Sequence, residues 1–480
     1  MTRLELDPSL NYLPETVKTI HMIGICGTGM GALAGMLKEK GFQVTGSDAN
    51  VYPPMSDFLA SLNIPVMSPY NPANLDHRPD LVVVGNVVTR ENPETPRLKE
   101  LGLPYLSLPQ TMKMLFLKDK KPLVVAGTHG KTTTSTLAAW LLESVGLDPG
   151  FFIGGITGNF GRNYKLGKGD WFVMEGDEYD TAFFDKVPKF IHYAPFVGIL
   201  TSVEFDHADI YPDLEAVKAA FRQLVDLIPP DGLMIAWGDD PLVRQMAGAA
   251  KSPNFFYGFG SDADYRAVNL VPDGRRTLFE LVRPGKPVIP MFSPLPGEHN
   301  VLNTLAVTAA MEFAGIGPAD LLDGLSSFKG VKRRQEIRGE VGGVLVMDDF
   351  AHHPTAVKQT ISAIRRAYPN RRLWAVFEPR TNTSMRRVFQ AEYAEAFDLA
   401  DQVAIRQASA LEKVPEGERF NFEQLVDDLN RRGISANGFP NTDALLEHLL
   451  KSLAPGDLVL IMSNGGFDNL HQRLLNGLEK

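Results

Sequence analysis

The sequence predicts an α/β protein of three domains, and three observations predict it. Short apolar runs alternate with helix-like stretches along the whole chain. Two glycine-rich turns each sit between a strand and a helix. The length, 480 residues, exceeds what one hydrophobic core usually organises, and a prior of about 150 residues per domain gives roughly three. In residues 1–115, segments 19–25, 42–46 and 81–85 read as strands and 30–40 as a helix. In residues 116–330 the strands are 122–126, 171–174 and 198–201, with helices at 131–145 and 301–314. The basic run Lys329-Gly330-Val331-Lys332-Arg333-Arg334 marks a boundary, and residues 331–480 repeat the pattern with strands at 344–347, 373–377 and 458–462. This βαβ rhythm implies parallel sheets covered by helices.

Composition narrows the function classes. A hydrophobic share of 44% and a charged share of 22% suit a globular protein with several cores. The net charge of -9 argues against a general binder of nucleic acid or membrane surfaces. One cysteine, Cys26, allows no intramolecular disulfide and fits a reducing cytoplasm. No apolar run approaches the ~20 residues that span a bilayer, and residues 1–8 lack the layout of a signal peptide. The expectation is a cytoplasmic protein with no nucleic acid, membrane or obligate protein partner.

The first turn, Gly24-Ile25-Cys26-Gly27-Thr28-Gly29-Met30-Gly31-Ala32, satisfies G-x-G-x-x-G/A through Gly27, Gly29 and Ala32. Glycine lets the backbone approach a phosphate, and the next helix offers unpaired N–H groups. Asp48, after Ser47 at the end of the second strand, is placed for a ribose hydroxyl. A tight turn of any α/β domain, or a nicotinamide dehydrogenase, also fits this turn alone.

The second turn is Gly127-Thr128-His129-Gly130-Lys131-Thr132-Thr133-Thr134. Lys131 is placed for the β- and γ-phosphates of a nucleotide, the Thr132 hydroxyl for Mg²⁺, and the loop amides for an anion. The spacing, G-x-x-G-K-T, is shorter than the common P-loop, with Val125 where that pattern wants glycine. Glu175-Gly176-Asp177-Glu178 follows a strand, where carboxylates hold a nucleotide's Mg²⁺; a solvated loop is the plainer reading. His207, after Asp206, is a candidate ligand for a second ion. His299-Asn300 opens a helix with Asn303 one turn on, so Asn300 and Asn303 share a face and either meet a base or ribose or cap the helix. Asp348-Asp349-Phe350-Ala351-His352-His353-Pro354 and Glu378-Pro379-Arg380 follow strands of the third block. Five of the ten histidines, His129, His207, His299, His352 and His353, lie in these turn motifs, where α/β proteins place ligand sites.

In this order the segments resemble the Mur ligase family, which builds the peptide stem of the bacterial cell wall, over about residues 20–475. The resemblance implies a Rossmann-like first domain binding a UDP-sugar, a P-loop ATPase-type central domain, and a Rossmann-like third domain binding the amino acid or peptide. It implies ATP and Mg²⁺ as cofactors and an acyl phosphate intermediate, with Lys131, His207 and Glu175 catalytic. Gly127, Thr128, His129, Gly130, Lys131, Thr132, Thr133, His299, Asn300, Asn303, Arg334 and Asp349 would bind the nucleotide; Thr132, Glu175 and His207 the metal. Gly27, Thr28, Gly29, Met30, Ser47, Asp48, Asn159, His352 and Arg380 would bind substrates.

Segments 46–55, 185–193 and 463–467, with Glu378-Pro379-Arg380-Thr381-Asn382-Thr383, are most similar to members that join UDP-N-acetylmuramate to the murein tripeptide L-Ala-γ-D-Glu-meso-diaminopimelate. Members that add L-alanine are the alternative; they carry an aromatic residue after the arginine, where Thr381 and Asn382 would leave room for a peptide. The family's Asn shortly before Asp-His is Ser202 here, and no lysine, Lys218 included, carries a motif for the carbamoylated lysine of some members.

Overall fold

The computed structural model describes residues 4–206, 210–381, 383–408 and 411–479. Among them the strands form three sheets, one for each block. The first contains β1 (Thr19–Ile23), β2 (Gln43–Ser47), β3 (Val66–Met67), β4 (Leu81–Val84) and β5 (Tyr105–Ser107) in the order β3-β2-β1-β4-β5. Every pair is parallel, and β4, Leu-Val-Val-Val, is buried at every position, as a strand covered on both faces must be. The order reverses between β1 and β4, so a crevice opens beyond their C-terminal ends.

The second sheet has ten strands. They are β6 (Lys121–Ala126), β7 (Gly150–Phe152), β8 (Tyr164–Lys165), β9 (Trp171–Gly176), β10 (Val197–Leu200), β11 (Leu233–Trp237), β12 (Asn254–Gly258), β13 (Tyr265–Asp273), β14 (Arg276–Val282) and β15 (Ile289–Ser293). Their order is β15-β14-β13-β12-β11-β10-β6-β9-β7-β8. The centre is parallel, while β13, β14 and β15 pair antiparallel. β14 alternates exposed and buried residues, the mark of a strand with one wet face.

The third sheet contains β16 (Glu336–Val341), β17 (Val344–Asp349), β18 (Arg372–Phe377), β19 (Gln402–Arg406), β20 (Ser435–Phe439) and β21 (Asp457–Met462). Its order is β16-β17-β21-β18-β19-β20, parallel except for β16.

Helices Thr28–Glu39 and Lys131–Ser144 leave directly from the two glycine turns. Glu298–Phe313 begins a turn before the apolar pattern and packs on Lys131–Ser144. It is buried on most of its surface, its buried threonines bonding back to its own carbonyls, so it lies inside the middle domain. Asp185 links the first sheet to the middle domain: its carboxylate accepts from Ser107 of β5 at 2.8 Å and lies 2.9 Å from His192 Nε2. No helix of the described residues is long and apolar enough to cross a membrane.

Candidate active site

β6 ends at Ala126, and the chain turns through Gly127–Gly130 into the helix that starts at Lys131. Gly130 takes φ +81°, and a Cβ there would sit 2.8 Å from Asn303 Oδ1. Glycine is therefore demanded twice, by the backbone and by the helix behind it. The loop is braced from the next strand end: Ser202 Oγ accepts from His129 N–H at 3.0 Å, and Thr128 Oγ1 accepts from Glu204 N–H at 2.8 Å. Ser202 thus serves as a loop brace.

Lys131 Nζ donates to Gly127 O at 2.6 Å and reaches Glu178 Oε2 at 3.3 Å. Beside it, Thr132 Oγ1 donates to Glu175 Oε2 at 3.1 Å, and Gly154 N–H donates to Glu175 Oε1 at 2.6 Å. Burial, then the neighbouring Asp177, push the Glu175 carboxyl above its usual range. Asp177 goes the other way: burial opposes ionisation, but Lys189 and Lys131 hold it down to about 2. Thr132 and Glu175 form an oxygen-only pair beside an anion-type loop, and a divalent cation would favour the ionised carboxylate that burial and Asp177 oppose. The donor set therefore fits Mg²⁺, a hard ion that prefers oxygen.

A cleft of about 520 Å³ runs from this loop to the third domain. His129, Gly130, Thr132 and Thr133 wall one side, His299, Asn300 and Asn303 the floor, and Arg334 and Asp349 the far side. Nine residues expected from sequence to bind a nucleotide are thus gathered from two domains. Asn303 Nδ2 donates to Asn300 Oδ1 at 3.2 Å, so the shared face exists. Burial, then the Arg334 and His129 charges, pull His299 down to about 4; its ring is neutral at neutral pH. Asp349 accepts from Gln335 N–H and from Ala351 N–H, both at 2.8 Å, tying the interdomain segment to the turn after β17.

Sequence reasoning missed Gln335. Buried at 3% exposure, it accepts from Asn300 Nδ2 at 3.3 Å and approaches His299 Nε2 at 3.5 Å. A lone glutamine in a basic run gives no signal. Trp237, Tyr257 and Leu302, which line an adjoining hollow of about 450 Å³, were also missed; their apolar character reads as core.

The remaining expected residues are more dispersed. Gly27 and Thr28 are exposed at the start of helix Thr28–Glu39, with Gly29 partly so, while the Met30 side chain is core. Asp48 braces the first turn, accepting from Cys26 N–H at 2.9 Å and Asn50 N–H at 3.0 Å. Ser47 points away: it is fully buried and donates to Glu94 at 2.6 Å. Asn159 clamps the end of a helix, donating to Ser327 O at 2.9 Å and accepting from Lys329 N–H at 2.8 Å. These three side chains are committed to the fold, because short polar groups near turns find backbone partners first. A hollow of about 610 Å³ beyond β4 is lined instead by Asn86, Thr89, Arg90 and Lys186. In the third domain, His352 Nδ1 lies 3.0 Å from Phe350 O, and Arg380 is half exposed, 3.9 Å from Glu378. Thr381 is folded into a turn with Ser384. Lys218 pairs with Glu215 at 2.6 Å. His207 and Asn382 lie outside the described residues.

Three sheets in this order, with a lysine-bearing glycine loop walled by the third domain, define a ligase architecture, and the chain belongs to the Mur ligase family. The models of that family match consecutively: Mur ligase family, catalytic domain, over residues 19–120; Mur ligase middle domain over 125–311; and Mur ligase, glutamate ligase domain, over 333–465. The chain is 42% identical over 464 residues to the UDP-N-acetylmuramate–L-alanyl-gamma-D-glutamyl-meso-2,6-diaminoheptandioate ligase of Escherichia coli strain K12, covering 96% of this chain and 98% of that one. It is 34% identical to the UDP-N-acetylmuramate–L-alanine ligase of Desulfitobacterium hafniense strain Y51, covering 95% of this chain and 99% of that one. The crystal structure of a murein peptide ligase from Psychrobacter arcticus 273-4 superposes with a TM-score of 0.73 at 36% identity, covering 96% of this chain and 99% of that one.

Proposed function

We propose that the protein is an ATP-dependent carboxylate–amine ligase of murein recycling, joining UDP-N-acetylmuramate to the tripeptide L-Ala-γ-D-Glu-meso-diaminopimelate. The observation that carries this reading is the cleft in which His129, Gly130 and Thr132, on either side of Lys131 in the chain, face Arg334 and Asp349 of the next domain. Amide formation in water needs an activated carboxylate. The sugar acid's carboxylate oxygen attacks the γ-phosphorus of ATP, ADP leaves, and an acyl phosphate forms. The acceptor amine, as free base, then attacks the acyl carbon; phosphate leaves and the amine gives up a proton. Positioning and charge neutralisation supply most of the catalysis.

Lys131 would turn from Gly127 O to the β- and γ-phosphates. Thr132 and Glu175 would hold Mg²⁺, whose charge when bound offsets that of the phosphoryl oxygens. His299, Asn300 and Asn303 would meet the base or ribose, and the Trp237–Tyr257 hollow suits a flat apolar ring. His352 and Arg380 would face the acceptor. The UDP-sugar would enter beyond β1 and β4, where Gly27–Gly29 offers helix N–H groups and Arg90 and Lys186 offer charge. Closure of the third domain would exclude water from the acyl phosphate. The stronger identity to the tripeptide ligase than to the L-alanine ligase supports the acceptor assignment.

Phosphate release with tripeptide or L-alanine as acceptor tests the proposal. Release should require ATP, UDP-N-acetylmuramate and the tripeptide together. Equal or better turnover of alanine would replace the acceptor, and no release with either amine would end the ligase reading.

A further inference from the structure

His129, Glu204 and His353 meet where the middle domain touches the third. His129 lies on the phosphate loop, Glu204 follows β10, and His353 caps helix Pro354–Ala367. His129 Nε2 is 3.4 Å from Glu204 Oε2, and His353 Nδ1 is 3.8 Å from the same oxygen. One donor atom from each residue lies within 4.8 Å of the other two. Bonds of about 2.0–2.2 Å to a tetrahedral Zn²⁺ place donors roughly 3.3–3.6 Å apart, so shifts of roughly 1 Å would close the set. The two imidazoles pack at 4.8 Å between centroids, and His129 Nε2, the atom nearest Glu204, is buried without a hydrogen-bond partner. Thr355 Oγ1 donates to Glu204 Oε2 at 2.7 Å, orienting the carboxylate as outer groups orient ligands in metal sites. The ligation chemistry leaves Glu204 and His353 without a task.

We propose that His129, Glu204 and His353 bind a borderline-soft divalent cation such as Zn²⁺, which clips the phosphate loop to the third domain. This site is chemically distinct from the Thr132–Glu175 pair: two imidazoles and one carboxylate select zinc over magnesium. Burial, then the facing His129, hold His353 at about 4 against the opposing pull of Glu204 and Asp206, so its ring is neutral near pH 7. Binding at Nδ1 replaces a long 3.3 Å bond from Thr355 N–H. Because His129 also lines the nucleotide cleft, the filled site holds the domains shut and opposes nucleotide exchange. The cation site stands whether or not the ligase reading does.

Co²⁺ titration of the metal-stripped, nucleotide-free protein tests it. One equivalent per chain should give the visible absorption of tetrahedral Co²⁺, and one equivalent of Zn²⁺ should remove it. Glu204→Gln and His353→Gln should abolish the band. Thr355→Val, which removes only the orienting hydroxyl, should weaken Zn²⁺ binding roughly 10–100-fold. No tetrahedral band in the unmodified protein, or a band that survives both ligand substitutions, would overturn the proposal.

Discussion

Lys131 is folded back on its own loop, its ammonium donating to the Gly127 carbonyl at 2.6 Å. A phosphate arriving at the loop would take the place of that carbonyl. Lys131→Ala should lower turnover by roughly 10²–10³-fold or more and leave UDP-sugar binding, measured by calorimetry, nearly unchanged. Equal loss of both would contradict separate sites. Glu178, 3% exposed at its side chain, loses one of its contacts in this variant, so a modestly lower melting temperature should accompany the kinetic loss.

Gln335→Leu tests whether the third domain contributes to nucleotide affinity. The substitution removes one of two acceptors for Asn300 Nδ2, leaving Pro296 O, and the contact to His299, yet keeps the backbone bond to Asp349. A loss of about 1–2 kcal/mol raises the KM for ATP roughly 5–30-fold, with the acceptor KM unchanged. Initial rates at varied ATP and varied tripeptide separate the two.

Arg380 and Gly465 form a second testable pair. A Cβ on Gly465 would stand 2.5 Å from Arg380 Cδ, Nε and Nη1, so Gly465→Ala must swing the guanidinium aside. Arg380→Ala should raise the tripeptide KM about 10–100-fold, the worth of a charge-assisted bond, and Gly465→Ala should act in the same direction. An unchanged tripeptide KM in Arg380→Ala would remove this arginine from acceptor binding.

His299 gives a pH dependence. Its ordinary value is 6.5 and its folded value about 4, so below pH 6.5 the unfolded chain takes up a proton that the native ring refuses. Stability is therefore lost as pH falls from 6.5 towards 4, by about 2 kcal/mol between pH 7 and 5 for this group. Urea unfolding at both pH values should show that much less acid sensitivity in His299→Asn.

Much of this was legible in the sequence, because the chemistry lies in strand–turn–helix units whose periodicity changes abruptly. The apolar run of β4 and the glycines around Lys131 declare themselves locally. The antiparallel arm β13–β15 escaped notice because its alternation of buried and exposed residues is short and leads to no motif. The apolar pattern alone starts helix Glu298–Phe313 a turn late, at Val301, and the polar motif Glu298-His299-Asn300 marks its true opening. Ser47, Asp48 and Asn159 show a different limit: sequence marks a polar residue near a turn but not which neighbour claims its hydrogen bonds. Gln335 was unreadable because its contacts cross between domains.

The cleft's divided walls carry an energetic consequence. With ATP bound as proposed, only a docked third domain would present every contact, and the measured affinity would equal the intrinsic one diluted by the docked fraction. A substitution in the connecting segment at Val331 or Lys332 would then change nucleotide affinity without touching the cleft, by altering how much of the protein is docked.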